Sequence, residues 1–148
     1  MGDILHSRVA RIVIPAFCAA GMEVTLVAPN TLLPREAPTW GLPILPSVDD
    51  ALDWGADTLY ALRLQKERMT GARIPSVAEY TRYYGVAKRH LRAGVLVMHP
   101  GPVNRGVEIS GDVVLSGSSL ILDQVASGIA VRSAVLTLAT GALGKVAA

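Results

Sequence analysis

Residues 58–68 read TLYALRLQKER, and this stretch decides the fold. Thr58 to Leu64 is an apolar run of the length and composition of a buried strand. It breaks at once into the polar Gln65-Lys-Glu-Arg68. In open α/β sheets, ligands bind beyond the carboxyl ends of the strands, so polar residues concentrated there attract attention. Arg63 lies inside the apolar run, where a guanidinium is costly to desolvate without a partner. Gln65, two residues on, falls on the same side of an extended chain. An Arg fork beside an amide suits a carboxylate. On position alone, a structural ion pair with a neighbouring Asp or Glu is the favoured alternative.

Working outward, Glu23–Ala28 and Val95–Met98 read as two further strands, with Ser119–Leu122 as a candidate fourth. Residues 8–20 fit a short helix stopped by Gly21, with Pro15 tolerable only near its first turn or at a kink. Residues 29–46 carry five prolines and read as loop. Ser47 caps a helix over 48–54, with Asp49 and Asp50 near its positive end. Ser76-Val-Ala-Glu79 is a capping box opening a helix that Gly85 interrupts and that resumes over Val86–Arg92. A last helix spans about 124–140. Strands alternating with helices predict an α/β fold, a three-layer open parallel sheet flanked by helices in the Rossmann-like manner. The absence of a convincing internal linker makes residues 1–148 one domain.

The totals agree. Of 148 residues, 51% are apolar but only 5% aromatic, so the core must be built from aliphatic side chains, the palette of a covered parallel sheet. A net charge of +2 argues for neither nucleic acid nor a membrane surface as partner. Cys18 is the sole cysteine, which excludes an internal disulfide and favours a reducing, cytoplasmic setting. His6, His90 and His99 share no metal-ligand spacing, so no metal and no cofactor are expected. Arg8 and Arg11 before the apolar run 12–20 loosely mimic a signal peptide, but Pro15 and Glu23 oppose that reading. Arg132 splits the C-terminal apolar stretch, so no membrane span is expected. Position 6 is His, which fails the myristoylation pattern.

A second chemical feature is His99-Pro-Gly-Pro102 at the end of the third strand. Prolines donate no backbone hydrogen bond, so this turn offers carbonyl acceptors with few competing donors, a wall suited to an NH₂ or amine group. A cis bond before Pro102 fits so tight a turn, although an ordinary turn closing a strand is the favoured reading of the tetrapeptide alone. Arg8 would stand at a helix N-terminus, where it and the backbone N–H groups could hold an anion; a solvated surface arginine is the commoner case. Arg132 reads as a packing or ion-pair residue, and Lys88–Arg92 as a solvated helix face. Ser7 lacks a hydrolase triad context, and no G-x-G-x-x-G or P-loop pattern is present.

In this order, GDILHSRVAR (2–11), EVTLVAP (23–29), LRLQKERM (62–69), PSVAEYTRYYGV (75–86), VMHPGPVNRGVEI (97–109) and QVASGIAVRSAVL (124–136) resemble the catalytic chain of the aspartate carbamoyltransferases. RLQKER followed at a distance by HPGPxNRGxEI is far more specific than either piece. Ornithine carbamoyltransferases carry a Cys after the His of the corresponding turn, where this chain has Pro100. The resemblance implies attack of the L-aspartate amine on carbamoyl phosphate, giving N-carbamoyl-L-aspartate for pyrimidine synthesis. It places aspartate carboxylates on Arg8 and Arg63 with help from Gln65, and the carbamoyl NH₂ and incoming amine at the carbonyls of Pro100, Gly101 and Pro102.

The resemblance covers only the family's aspartate-binding domain. The Ser-Thr-x-Arg-Thr phosphate loop and the His-Pro-x-Gln segment of the carbamoyl-phosphate domain are absent, and the sheet's first strand is expected to be missing. The family forms homotrimers. Inactivity alone, or activity with a separate carbamoyl-phosphate half, is therefore the expectation. A non-catalytic amino-acid-binding or assembly module, or a truncated remnant, is the alternative.

Overall fold

The computed structural model describes residues 1–65 and 76–141. The polar run after Gln65, the break at Gly71 and Pro75, and the last seven residues lie outside the described residues. Among the described residues the α-helices and strands run in the order α1 Arg8–Ala19, β1 Leu26–Val27, β2 Ile44–Leu45, α2 Val48–Trp54, β3 Thr58–Tyr60, α3 Val77–Tyr84, β4 Leu96–Met98, α4 Gly111–Val114 and α5 Ile121–Ala139.

All pairing between these strands is parallel. β1 pairs with β2 in the register Leu26↔Ile44 and Val27↔Leu45, and β3 with β4 from Thr58↔Leu96 to Tyr60↔Met98. Two residues join the pairs into one layer. Gly2 N–H donates to the Val27 carbonyl at 2.7 Å, and Leu62 N–H donates to the Met1 carbonyl at 3.0 Å. Ser119 bridges to Val97 on the far side of β4. The spatial order is therefore β2, β1, Met1–Gly2, β3, β4, Ser119. Met1 and Gly2 stand on the line of the strand expected to be missing. One face of the layer buries Ile4, Ala10, Leu26 and Leu62 under α1. The other buries Val48, Leu52, Leu59, Val97 and Ile121 under α2 and the start of α5. This is a Rossmann-like α/β sandwich.

Several expectations need correction. α1 runs unbroken through Pro15. Pro15 and Arg11, whose carbonyl loses its helical donor there, both face solvent, so water can replace the lost bond. The Ser7 hydroxyl caps the helix by accepting from Ala10 N–H at 3.1 Å. β2 lies inside the proline-rich 29–46 segment, where prolines on both sides are compatible with an edge strand. Ser119–Leu122 contributes a single bridge residue before α5 begins at Ile121. The helix expected over 86–92 is replaced by a Val86–Ile109 bridge and one 3-10 turn, Lys88–His90. His90 is fully buried there rather than on a solvated face. Its Nδ1 accepts from Ala87 N–H and its Nε2 lies 3.4 Å from Asp49. Burial and the neighbouring Arg89 lower its pKa, against the opposing pull of Asp49.

α5 also departs from expectation. Despite Arg132 it is long and apolar enough, by length and composition, to cross a membrane. Arg132 itself is exposed rather than packed. Of the helix, Ile121 is buried, while Leu122, Ile129, Val131, Val135, Leu136 and Leu138 are exposed.

Candidate functional site

Three loops meet at the carboxyl edge of the sheet. The first, residues 3–7, turns from Gly2 into α1. Asp3 is completely buried, and its carboxylate accepts from His6 N–H at 3.1 Å and from Gln65 N–H at 3.1 Å. His6 Nδ1 lies 2.9 Å from the same carboxylate and so must carry its proton there. Gln65 answers with its side chain: Nε2 donates to the His6 carbonyl at 3.1 Å. The end of β3 is thereby tied to the loop that presents Arg8. Arg8 is exposed at the first position of α1, and Arg63 is half-buried between Leu62 and Leu64.

The third loop follows β4. The Gly101–Pro102 bond is cis, as the sequence suggested, and Gly101 takes φ +71°, a conformation that favours glycine. Gly101 carries the only N–H of Pro100–Pro102, and it donates to His99 Nδ1 at 2.8 Å. The tripeptide therefore presents acceptors only. Because Nδ1 accepts, the neutral His99 ring holds its proton on Nε2, which lies 3.5 Å from Glu108 Oε1. The same oxygen accepts from Asn104 N–H at 2.6 Å. Asn104 Nδ2 reaches the Leu64 carbonyl at 3.4 Å, joining this loop to the end of β3. His99 N–H donates to Gln124 Oε1, and Gln124 Nε2 donates to the Tyr60 hydroxyl at 2.9 Å, which anchors the start of α5 to the sheet.

The site is thus a rim held from below by buried acids. Sequence reasoning quoted Asp3, Glu108 and Tyr80 within motifs without singling them out. The available signal for Glu108 is an acid between Val107 and Ile109, a position that buries a charge unless partners are supplied. Tyr80 is fully buried beside Leu64 and Leu32. Burial first, then the carboxylates of Glu108 and Asp3, push its phenol pKa upward. A concavity of about 480 Å³ lies elsewhere, between β1 and β3, and is lined by none of Arg8, Arg63, Gln65, Pro100, Gly101 or Pro102.

Fold and rim together are those of a Rossmann-like α/β domain with a polar rim at the carboxyl edge of its sheet, the place where ligands bind in open α/β sheets. The family profile described as the Asp/Orn-binding domain of aspartate/ornithine carbamoyltransferase matches residues 1–139. The chain is 76% identical, over all 148 of its residues, to 48% of the aspartate carbamoyltransferase catalytic subunit of Rubrobacter xylanophilus. It is 48% identical over 144 residues to 46% of the same subunit from Desulfitobacterium hafniense. Among solved structures, the aspartate transcarbamoylase of Trypanosoma cruzi with carbamoyl aspartate and phosphate superposes with a TM-score of 0.73 at 26% identity, over 92% of this chain and 46% of that one. The catalytic subunit of M. jannaschii aspartate transcarbamoylase does so with a TM-score of 0.70 at 29% identity, over 91% of this chain and 46% of that one. The chain belongs to the aspartate/ornithine carbamoyltransferase family and matches its Asp/Orn-binding domain. It spans about half the length of the curated relatives it matches.

Proposed function

We propose that this chain supplies the aspartate-binding half of an aspartate carbamoyltransferase, and that a carbamoyl-phosphate half must join it for turnover. The observation that carries the reading is the donor-free Pro100–Pro102 wall joined through Asn104 and Leu64 to the Arg63–Gln65 segment. Arg8 and Arg63 supply the cationic forks for the two carboxylates of L-aspartate, a pairing that guanidinium geometry favours. Gln65 holds the loop carrying Arg8 in place through the His6 carbonyl. The carbonyls of Pro100, Gly101 and Pro102 accept from the carbamoyl NH₂ and the incoming amine.

In the reaction the aspartate nitrogen attacks the carbamoyl carbon, forming a C–N bond and a tetrahedral species. Collapse breaks the C–O bond to phosphate, which leaves with its electron pair, and the amine gives up one proton. The two partners react faster once held together because the entropy of bringing them together is spent on binding. Charge stabilisation of the phosphate and of the carbonyl oxygen falls to the other half. L-Aspartate and carbamoyl phosphate are the substrates, the assembly is a homotrimer, and the setting is cytoplasmic.

The experiment is a colorimetric assay of carbamoyl-aspartate formation by this chain alone and with a separately supplied carbamoyl-phosphate domain. Turnover only in the mixture is expected. Robust turnover by the chain alone would overturn the requirement for a second half.

A further inference from the structure

The acceptor wall after β4 has little of its own to hold it in place. Pro100 and Pro102 carry no N–H, and the Gly101 N–H is spent inside the turn on His99 Nδ1 at 2.8 Å. Among the described residues no donor reaches the carbonyls of Pro100, Gly101 or Pro102. The wall therefore makes no hydrogen bond of its own to the rest of the described domain. Its position is set by the residues at its two feet, His99 and Asn104.

Two side chains grip those feet. Glu108 is buried on a backbone that is itself pinned: Val86 N–H donates to the Glu108 carbonyl at 2.9 Å, and Ser110 N–H donates to the Val86 carbonyl at 2.9 Å. From that fixed base its Oε1 accepts from Asn104 N–H at 2.6 Å and faces His99 Nε2 at 3.5 Å, so one carboxylate oxygen spans both feet. Gln124, in the first turn of α5, holds His99 by its backbone. Its Oε1 accepts from His99 N–H at 3.2 Å, while its Nε2 is committed to the Tyr60 hydroxyl on β3 at 2.9 Å.

We propose that Glu108 and Gln124 are positioning residues that aim the three open carbonyls at the carbamoyl NH₂, and so set the preference of the site for a carbamoyl group over an acyl group of the same shape. The proposal rests on the aspartate-binding reading of the rim. An NH₂ donates to an acceptor wall, whereas a methyl group in its place leaves the carbonyls desolvated and unpaired, so a well-aimed wall discriminates between the two. Aim matters on the scale of an ångström. Glu108→Asp removes one methylene and draws the grip back by about 1 Å, a misplacement that can cost on the order of 10²-fold. Glu108→Gln keeps the length and a carbonyl oxygen for Asn104 N–H.

The test is isothermal titration of the 148-residue chain with N-carbamoyl-L-aspartate and with N-acetyl-L-aspartate, which differ only in NH₂ against CH₃. Circular dichroism checks the fold of each variant. Wild type and Glu108→Gln should bind the carbamoyl compound at least about tenfold more tightly than the acetyl one. Glu108→Asp and Gln124→Leu should lose most of that preference, with the Kd of N-acetyl-L-aspartate unchanged because its carboxylates do not touch the wall. If Glu108→Asp does not fold, Gln124→Leu must show the loss by itself. A folded variant of either kind that keeps the wild-type preference overturns the proposal, as does a wild type that binds both compounds equally; both results leave the dicarboxylate site standing. A wild type that binds neither compound overturns the aspartate-binding reading instead. Positioning is then decided by amide hydrogen exchange, where equal protection of Gly101 and Asn104 in wild type and in both variants overturns it.

Discussion

Replacing Glu108 with alanine is the sharpest single test of how the proline-lined wall is held. Glu108 is 1% exposed and His99 0% exposed, so neither can turn to water. One carboxylate oxygen accepts from Asn104 N–H at 2.6 Å and faces His99 Nε2 at 3.5 Å. Glu108→Ala leaves the Asn104 N–H without its acceptor, at roughly 1–3 kcal/mol, and removes the carboxylate that faces His99 Nε2 without a hydrogen bond. The expected loss is therefore about 1–3 kcal/mol. For a chain of this size that lowers Tm by roughly 2–12 °C. Glu108→Gln keeps a carbonyl oxygen for Asn104 and should cost no more than ~1 kcal/mol, the net worth of an ordinary hydrogen bond. Urea denaturation followed by circular dichroism, with a thermal melt alongside, measures both variants. A Glu108→Ala protein within about 0.5 kcal/mol of wild type, the range of neutral surface changes, would refute the reasoning.

His90 makes stability depend on pH: burial lowers its folded pKa, so stability is lost as pH falls below the ordinary 6.5, and His90→Asn should flatten that part of the profile read by urea titration at each pH. A profile unchanged by the substitution would contradict it. Ser47→Ala removes the oxygen that caps α2 by accepting from Asp50 N–H at 3.1 Å, and should cost about 1 kcal/mol in the same denaturation assay. Gly2→Ala should cost more than the cap: Gly2 has φ +99°, and a Cβ there would sit 2.8 Å from the Tyr80 hydroxyl. A melt for Gly2→Ala matching wild type would show that this corner of the rim relaxes freely.

What the sequence disclosed follows from local physics. The apolar runs at 58–64 and 95–98 marked parallel strands, because a sheet covered on both faces needs apolar residues on both sides. Ser47 and Ser76 marked helix starts, because a hydroxyl there answers a backbone N–H three residues on. Pro100 and Pro102 marked an acceptor wall by what they lack. β2 was hidden because two residues between prolines carry no period, and its partner Leu26 is distant in sequence. His90 was misread because its burial depends on Asp49 and Ala87, contacts that a run of basic residues does not announce. Asp3 and Glu108 escaped for the same reason: each is acceptable in the interior only through donors brought from elsewhere along the chain or around a tight loop.

The central claim is that Arg63 and its neighbours form a dicarboxylate site. Calorimetric titration of the chain with succinate, beside Arg63→Ala, tests it most directly. The account predicts saturable one-to-one binding that the substitution abolishes while leaving the circular dichroism spectrum unchanged. Equal binding by both proteins, or none by either, would contradict it.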